Sequence, residues 1–487
     1  MADRILVLDA GTTSTRAMIF APNGTMEAVE QAEITQYYPQ PGWVEHDAAE
    51  IWDKTLACAR QVVGEAPGRI AAIGITNQRE TVVAWDTSSG APLARAIVWQ
   101  DRRTAAFCAE MKSHGHEESV QQRTGLLLDP YFSGTKMRWL LDHDEALRAA
   151  SQRGDLAFGT VESWLVYKLS GGAHVSDASN ASRTLLLKLD GAQFDEELCE
   201  LFGVPRIALP EVVDTHGAIA TAQAHCLGAE VPICGLAGDQ QSATIGQGCL
   251  AFGETKATYG TGAFVLTNKG QDIPRSDNRL LGTVLYQENG QRTYAIEGAC
   301  FVAGSLVQYL RDQLGLIGSA AETEELARSI ESSGEVVIVP ALAGLGAPHW
   351  KPEARGVISG LSFASGRAEI ARAALEAMAH QTHDLASAFA ADGAPWSTLR
   401  IDGGMSANDW MAQDLADILE IEVERPDFVE TTALGAAICA SVGAGIHATL
   451  QDAVSAMRGP ARCFKPSMED PVRRTRLARY AKALSAA

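Results

Sequence analysis

Two segments rich in glycine, threonine and serine, one in each half of the sequence, have the residue types of a phosphate-binding turn. They cover residues 11–14 and 260–262, and each lies between two short apolar runs, which predicts a hairpin. Glycine lets the backbone approach a phosphate closely, and threonine and serine hydroxyls donate hydrogen bonds to its oxygens. Arg16 follows the first segment and could add a charge-assisted hydrogen bond. The sequence lacks the glycine-rich lysine motif of P-loop enzymes, so that class is excluded.

An aspartate at the end of a predicted strand accompanies each of these segments. Asp9 directly precedes the first segment, and Asp239 ends the apolar run that comes shortly before the second. A single Gly-Thr turn is better explained as an ordinary β-turn. Two such turns, each with its acidic residue, favour two phosphate loops that face each other across a cleft between domains.

A third segment, residues 401–408, has the pattern of a strand, a glycine turn and a helix capped by Ser406 or Asn408. The functional interpretation is that Gly403 and Gly404 admit a flat base and its ribose, while Asn408 hydrogen-bonds to the base. The alternative is an ordinary strand–helix turn, in which the glycines serve only the backbone geometry.

Arg79 and Glu80 follow a predicted strand at residues 73–75 and place a cation beside an anion. A hydroxyl group both donates and accepts, so a polyol site needs arginine donors together with carboxylate acceptors. The alternative is a surface ion pair of little energetic value. Trp99 could pack its ring against carbon atoms, and Tyr131 could contact a ligand, although both are also explained as core aromatics.

The elements that must position these residues alternate short apolar strands with helices, which predicts an α/β fold. The chain has 487 residues, about three times the length of a typical domain, so two or more domains are expected. The related hairpins in the two halves indicate two distant structural duplicates. We place the boundary between residues 1–247 and 248–487.

The charge balance and the cysteines exclude several classes of protein. The formal net charge is −20, whereas a nucleic-acid partner requires a basic footprint. The nine cysteines are scattered without a CxxC pair, so neither a disulfide framework nor a zinc site is indicated. The N-terminus lacks the pattern of a secretory signal. Together these features predict a cytoplasmic protein with reduced thiols.

Two further segments carry predictions about exposure. Residues 431–450 contain no Asp, Glu, Lys or Arg, yet their alanine and glycine content favours a helix packed inside the protein over a membrane span. Residues 471–487 are rich in arginine, which predicts a solvated terminal helix.

Eight motifs taken together resemble the FGGY family of carbohydrate kinases. In chain order they are DAGTTS at 9–14, PGWVEHD at 41–47, TNQRET at 76–81, YFSGTK at 131–136, AGDQQ at 237–241, YGTG at 259–262, LGAPHW at 345–350 and DGG at 402–404. They follow one another along nearly the whole chain. The segments around Arg79, Glu80 and Trp99 resemble family members that act on glycerol more closely than those that act on pentuloses.

The resemblance implies an α/β fold with two actin-like, ribonuclease-H-like ATPase domains that flank a deep cleft. It implies ATP-dependent phosphorylation of glycerol to sn-glycerol 3-phosphate in that cleft, with Mg²⁺ as the metal. It also implies a homo-oligomer, either a dimer or a tetramer, with no membrane or nucleic-acid partner. A kinase for another polyol or for a ketose is the alternative within this class.

The resemblance also implies a role for each site residue. The hydroxyls of glycerol would be held by Arg79, Glu80, Tyr131, Asp239 and Gln240, with its carbons between Trp99 and Phe264. The phosphates would be contacted by Thr12, Thr13, Ser14, Arg16 and Thr261. The nucleotide pocket would be lined by Gly304, Gln308, Gly404 and Asn408. Asp239 would be the general base, and the metal would be oriented by Asp9 through water and by Asp239.

A hypothesis from a different class is an ATP-driven chaperone or filament protein built on the same core. It predicts ATP turnover that is insensitive to polyols, or polymerisation that depends on nucleotide. It leaves Arg79, Glu80, Trp99 and Tyr131 without a role, so we give it little weight.

Overall fold

Two mixed β-sheets, one from each half of the chain, form the framework of the molecule. The computed structural model describes residues 3–64, 66–351 and 353–487. The strands of the first half are β1 (Arg4–Ala10), β2 (Ser14–Phe20), β3 (Met26–Glu33), β4 (Glu45–His46), β5 (Ile70–Asn77), β6 (Val83–Asp86), β7 (Ala91–Pro92), β8 (Ala96–Ile97), β9 (Leu156–Gly159), β10 (Val175–Asp177), β11 (Glu211–Val213), β12 (His216–Ala222) and β13 (Val231–Gly238). Its helices are α1 (Ala48–Val63), α2 (Ala105–Ser113), α3 (His116–Thr124), α4 (Ser133–His143), α5 (Glu145–Arg153), α6 (Val161–Ser170), α7 (Ala178–Ala181), α8 (Glu196–Phe202), α9 (Ala224–Leu227) and α10 (Asp239–Gly246).

The second half has fewer strands and longer helices. Its strands are β14 (Glu254–Tyr259), β15 (Ala263–Gly270), β16 (Leu281–Glu288), β17 (Gln291–Cys300), β18 (Val337–Val339), β19 (Val357–Ser359), β20 (Thr398–Asp402), β21 (Val423–Pro426) and β22 (Ala461–Phe464). Its helices are α11 (Gly304–Asp312), α12 (Glu322–Arg328), α13 (Arg367–Ala391), α14 (Asp409–Leu419), α15 (Thr431–Gly443), α16 (Leu450–Met457) and α17 (Asp470–Leu484).

The two sheets share one pattern of strand pairing. The first has the order β12-β13-β5-β1-β2-β3, in which β1, β2 and β3 pair antiparallel while β5 and β13 run parallel to β1. The second has the order β16-β17-β15-β14-β20-β21-β22, with β17, β15 and β14 antiparallel and β20 and β21 parallel to β14. The duplication predicted from the two hairpins is therefore present in the strand order.

Helices cover both faces of the first sheet, as buried parallel strands require. Side chains alternate along β1, so Leu6 and Leu8 pack in the cluster that includes α1 and α6, while Ile5 and Val7 pack in the cluster that includes α15. Helix α15 comes from the second half of the chain and lies within the segment 431–450. The prediction of an internally packed helix there is confirmed.

The close approach of α15 to the first sheet depends on glycine. A Cβ at Gly74 would lie 2.4 Å from the carbonyl oxygen of Ala436, and a Cβ at Gly235 would lie 2.5 Å from the backbone nitrogen of Ala440.

A membrane-crossing helix needs a longer apolar stretch than any helix in the described part of the chain provides.

The chemistry-bearing residues lie at the carboxyl ends of the parallel strands. Asp9 lies near the end of β1, Arg79 follows β5 and Asp239 follows β13. Asp402 ends β20, in the second sheet. In open α/β sheets, ligands bind in the crevice outside these strand ends.

Candidate active site

Asp239 and Arg79 form the centre of the site. Asp239 is the first residue of α10, and its carboxylate oxygen Oδ1 lies 3.2 Å from Arg79 Nε. The same oxygen accepts a hydrogen bond from the backbone nitrogen of Gln240 at 2.7 Å. The Asp239 side chain keeps 32% of its surface exposed, whereas that of Arg79 keeps only 2%. The carboxylate is therefore partly exposed, and a buried guanidinium holds it in place.

A buried network of four charges lies beneath this pair. Arg79 donates to both carboxylate oxygens of Glu297, at 2.6 and 3.2 Å. Arg183 donates from Nε to Glu80 at 2.6 Å and from Nη2 to Glu297 at 3.1 Å. Two cations and two anions balance one another, as buried charges require. Because Glu297 lies on β17, the network joins the two halves of the chain.

The network sets the protonation of its acids. Burial raises the pKa of Glu297, but Arg183 and Arg79 more than offset this and hold the pKa at about 2. Burial raises the pKa of Glu80, with Arg79 and Arg183 opposing. Burial also raises the pKa of Asp239 above its usual range, against the lowering effect of Arg79. A carboxylate with a raised pKa binds a proton more readily, which suits a general base.

Glu80 occupies an unusual backbone position. Its φ is +61°, in the left-handed region that residues other than glycine seldom adopt, and its side chain is buried. The carbonyl of Glu80 accepts a hydrogen bond from Ser133 Oγ at 3.0 Å. Such conformations persist where surrounding contacts fix them, and they are common at functional sites.

Three aromatic rings lie next to the buried network of four charges. Trp99 lies edge-to-face with Tyr131, at 5.7 Å between ring centroids, and with Phe264, at 6.4 Å. Arg79 donates to the Tyr131 hydroxyl at 3.3 Å. Each of the three rings is half-buried, so one part is available to a ligand. Aromatic faces beside a charged pair suit the carbon chain of a polyol.

The first Gly-Thr turn connects β1 and β2, as predicted. Its Thr13 is exposed, while Thr12 and Ser14 are half-buried. Trp99 Nε1 donates to Thr12 Oγ1 at 3.0 Å, which links this turn to the aromatic rings. Arg16 forms ion pairs with Asp9 at 2.5 Å and with Glu430 at 2.6 Å. Burial raises the pKa of Asp9, with Arg16 opposing.

The second turn connects β14 and β15 and packs on the start of α11. The backbone nitrogen of Gly304 donates to the carbonyl of Gly260 at 2.8 Å, and a Cβ at Gly304 would lie 2.6 Å from that oxygen. A side chain at position 304 would thus push the turn away from the helix. Thr261 is exposed at the tip of the turn, and Gln308 is exposed one helical turn into α11.

The third segment is a glycine turn followed by a capped helix. Gly403 has a φ of +87°, and a Cβ at Gly404 would meet no atom within 4 Å. Asn408 is the cap: its Oδ1 accepts from the backbone nitrogen of Met411 at 2.9 Å, and its Nδ2 donates to Thr323 at 3.3 Å. Both the oxygen and the nitrogen of the Asn408 side-chain amide therefore form hydrogen bonds within the protein. Ser406 lies in the short turn Gly404–Ala407 before the helix.

Three site residues were missed by sequence reasoning: Arg183, Glu297 and Lys256. Lys256 is fully buried and donates to the Gln240 side chain at 2.6 Å and to Thr258 at 2.7 Å. Glu297 is a single carboxylate within the apolar run 294–300, and Lys256 lies between buried strand residues. A lone charge inside an apolar strand is the signal that could have identified both.

The described residues fit a magnesium nucleotide. The open space beside Gly404 and the exposed hydroxyls of Thr13 and Thr261 provide room and donors for a base and phosphates. Asp9 lies near the carboxyl end of β1 and Asp239 follows β13, so both carboxylates lie at the same edge of the first sheet. Carboxylate oxygens are ligands that Mg²⁺ prefers.

Comparison with known proteins covers almost the whole chain. The N-terminal domain of the FGGY family of carbohydrate kinases matches residues 4–246, and its C-terminal domain matches residues 255–444. A glycerol kinase of Rhodospirillum rubrum is 54% identical, over 92% of this chain and 92% of its own. One of Dechloromonas aromatica is 52% identical, over 99% of this chain and 96% of its own.

Solved structures agree with the sequence relatives. The crystal structure of Plasmodium falciparum glycerol kinase with ADP matches with a TM-score of 0.96 and 33% identity, covering 100% of this chain and 98% of that one. A xylulose kinase from Rhodospirillum rubrum matches with a TM-score of 0.87 and 24% identity, covering 99% and 98%, and it shares the fold.

Proposed function

Because the chain belongs to the FGGY family of carbohydrate kinases, we propose that it transfers the terminal phosphoryl group of ATP to glycerol, giving ADP and sn-glycerol 3-phosphate. It is a kinase with the two-domain α/β fold of that family, as the sequence predicted. The observation that carries the proposal is the partly exposed carboxylate of Asp239 held at 3.2 Å from Arg79, whose guanidinium also donates to Tyr131 in the group of three aromatic rings. Relatives named glycerol kinase at about 50% identity support the choice of substrate.

Asp239 is the general base of the proposed reaction. Its carboxylate accepts the proton of the attacking primary hydroxyl as the bond to phosphorus forms. Arg79 fixes the orientation of that carboxylate, because Arg79 is itself held by Glu297. The reaction asks mainly for alignment and charge neutralisation, which rigid side chains supply.

The charged network and the rings bind the glycerol in this proposal. The hydroxyls are held by Arg79, Glu80, Tyr131, Asp239 and Gln240. Trp99 and Phe264 flank the carbon chain, and each half-buried ring keeps part of its surface exposed for that contact. A site built for three hydroxyls leaves buried groups unpaired with a wrong ligand, which gives the discrimination.

The two Gly-Thr turns hold the phosphates in this proposal. Contacts come from Thr12, Thr13, Ser14, Arg16 and Thr261, while the base and ribose lie along Gly304, Gln308, Gly404 and Asn408. Asp9, through water, and Asp239 would hold the metal. Mg²⁺, when bound, supplies positive charge that offsets the charge on the phosphates. Because Asn408 caps α14, we assign it to the wall of the nucleotide pocket. The hydrogen bond from Asn408 to the base stays a prediction.

The organisation of the enzyme completes the proposal. Residues 1–247 form the domain that binds glycerol and phosphate, and residues 248–487 form the domain that binds the nucleotide. Helix α15, from the second domain in this division, packs on the first sheet. The enzyme would work in the cytoplasm as a homodimer or homotetramer, a state that light scattering of the purified protein measures.

Glycerol-dependent release of ADP tests the proposal. The assay compares glycerol with dihydroxyacetone, glyceraldehyde, xylulose and ribulose, each with ATP and Mg²⁺. The highest kcat/KM is expected with glycerol. A higher value with a ketose or another polyol would establish the alternative substrate. If none of the five compounds increases the rate of ADP release, the assignment of this site to phosphorylation of glycerol is wrong.

A further inference from the structure

The motif PGWVEHD at residues 41–47 plays no part in the proposed reaction, yet its histidine belongs to a buried group of hydrogen bonds. His46 lies on β4 and is 0% exposed. Its Nε2 lies 2.9 Å from the side-chain oxygen of Gln36, and its Nδ1 lies 3.2 Å from the side-chain nitrogen of Gln78. The imidazole ring therefore bridges two glutamine side chains.

The two glutamines hold the backbone of the first Gly-Thr turn. Gln78 is buried, and its Nε2 donates to the carbonyl of Gly11 at 3.0 Å. Gln36 is half-buried, and its Nε2 donates to the carbonyl of Thr12 at 2.7 Å. His46 is therefore linked to two consecutive carbonyls of this turn, in each case through one side-chain amide.

These hydrogen bonds set the direction of the backbone N–H groups in the turn. In a planar trans peptide, the N–H points away from the C=O of the same unit. The carbonyl of Gly11 shares its peptide with the N–H of Thr12, and the carbonyl of Thr12 shares its peptide with the N–H of Thr13. Both N–H groups therefore point away from the glutamines, and neither has an acceptor among the described residues. Such a pair of free N–H groups suits phosphate oxygens.

The proton on the His46 ring has a defined position. The side-chain nitrogens of Gln36 and Gln78 each face a backbone carbonyl, which fixes the orientation of both amides. The oxygen of Gln36 can only accept, so Nε2 of His46 carries the proton and Nδ1 accepts from Gln78. Burial lowers the pKa of His46 to about 4, with Glu50 opposing, so the ring is neutral at physiological pH.

The same hydrogen bonds reach the aromatic rings of the candidate site. Thr81 Oγ1 donates to the side-chain oxygen of Gln78 at 2.9 Å and accepts from the backbone nitrogen of Trp99 at 3.3 Å. The ring nitrogen of Trp99 donates in turn to Thr12 Oγ1 at 3.0 Å. Trp99 is thus tied to the turn directly through Thr12 and indirectly through Gln78.

On the basis of the proposed function, we propose that His46 is a positioning residue for phosphoryl transfer. In its neutral form, with the proton on Nε2, it aligns the side-chain amides of Gln36 and Gln78. Through these amides it keeps the N–H groups of Thr12 and Thr13 directed at the phosphates of ATP. The ring touches neither substrate, and its contribution is a turn that is already in the geometry for binding phosphate.

Calorimetry on the full-length protein tests the proposal, with the ATP analogue β,γ-imido-ATP plus Mg²⁺ and, separately, with glycerol. His46→Phe keeps a ring of similar size and removes both nitrogens. Its Kd for the analogue should rise at least about tenfold, while its Kd for glycerol stays within about threefold of wild type. His46→Gln has one donor and one acceptor in a planar group, so it should recover most of the lost affinity. His380→Phe, at another buried histidine, is the matched control and should change neither Kd.

A second variant keeps the proposal testable if a fully buried ring cannot be replaced without unfolding. Gln36→Met retains the length of a half-buried side chain and removes the amide that holds Thr12, so the Kd for the analogue should again rise, by about fivefold or more. Urea denaturation gives the unfolding free energy of each protein.

The outcomes separate this inference from the proposed function. If the folded variants of His46 and Gln36 bind the analogue as tightly as the wild type, or lose affinity for the analogue and for glycerol equally, His46 has only a structural role. The inference is then wrong, and the proposed function stands. If the wild type itself does not bind the analogue, the proposed function fails and this inference fails with it.

Discussion

Arg79 contacts Asp239 through Nε at 3.2 Å and Glu297 through Nη1 at 2.6 Å. One guanidinium therefore links the proposed base, which follows β13 of the first sheet, to a carboxylate on β17 of the second sheet. Any movement of one domain relative to the other alters this link. The position of the base is thereby coupled to the arrangement of the two halves of the chain.

Asp239→Asn should abolish most turnover while keeping much of the glycerol binding. The amide has the shape of the carboxylate but cannot accept the proton, so kcat should fall by about 10²- to 10⁴-fold. Coupled ADP release gives kcat, and calorimetry gives the affinity for glycerol. Asp272→Asn, at an exposed aspartate, is the matched control and should behave as wild type. A near-normal kcat in Asp239→Asn would show that another group accepts the proton.

The acid limb of activity should lie above the ordinary carboxyl pKa of 3.8, because burial raises the pKa of Asp239. The base must be ionised to accept a proton, so kcat/KM falls as the pH drops through this raised pKa. Asp9 also raises the pKa, since its negative charge disfavours ionisation of Asp239. The pH profile of kcat/KM for glycerol measures the limb, and a midpoint at or below 3.8 would contradict the prediction.

Glu297→Gln should destabilise the protein and weaken glycerol binding. The change leaves Arg79 and Arg183 buried without their shared anion, and breaking such a network costs about 3–5 kcal/mol of unfolding free energy. Urea denaturation measures the loss, with Glu331→Gln at an exposed glutamate as control. The unfolding free energy of the wild type should exceed that of Glu297→Gln by its full amount above pH 4.5. This difference should disappear as the pH falls towards about 2, because the pKa of Glu297 is depressed in the folded state. An advantage that persists unchanged at low pH would contradict this account.

The sequence predicted the local parts of the site and not their long-range partners. The two Gly-Thr hairpins, the strand before Arg79 and the packed helix α15 follow from turn residues and apolar runs in single short segments. Glu297 is 218 residues from Arg79 in the chain, so no local pattern connects them. Sequence reasoning paired Arg79 with Glu80, yet Nε of Arg79 lies 3.8 Å from Glu80, further than from Asp239.

The terminal helix shows a second limit of local patterns. Its arginines predict a solvated helix, but Arg476 pairs with Asp414 through two contacts of 2.5 and 2.8 Å, and Tyr480 is buried. The prediction is therefore wrong for one face of α17. A run of arginine on a helix gives no indication of which face meets another element, because that depends on the position of α14.

Gly404→Leu should weaken nucleotide binding without unfolding the protein. The position is exposed, has no positive φ and has open space where the side chain would project, so the leucine enters the proposed nucleotide pocket. We expect the KM for ATP to rise at least about tenfold, equivalent to ~1.4 kcal/mol, with the KM for glycerol little changed. The matched control is Gly68→Leu, another exposed glycine with open space around it. A normal KM for ATP in Gly404→Leu would remove this turn from the nucleotide site.

His380 should make the protein sensitive to mild acid. Its ring is 2% exposed and stacks on Tyr480, and neither ring nitrogen has a hydrogen-bond partner among the described residues. Burial lowers the pKa of His380 well below 6.5, and the charges of Arg476 and His383 lower it further. Below pH 6.5 the unfolded chain binds a proton that the folded chain does not. The unfolding free energy should therefore fall by up to about 1.4 kcal/mol per pH unit from this residue.

His380→Phe keeps a ring of similar size and removes the proton-binding group, so it should reduce the loss of stability between pH 6.5 and 5. Urea denaturation across this range gives the unfolding free energy of each protein. His114→Phe, at an exposed histidine, should leave the wild-type slope unchanged. All three proteins keep Tyr480, because loss of its side chain would expose the ring at position 380 to water. The absence of any difference in slope between His380→Phe and wild type would mean that His380 is protonated in the folded enzyme, or that water reaches it.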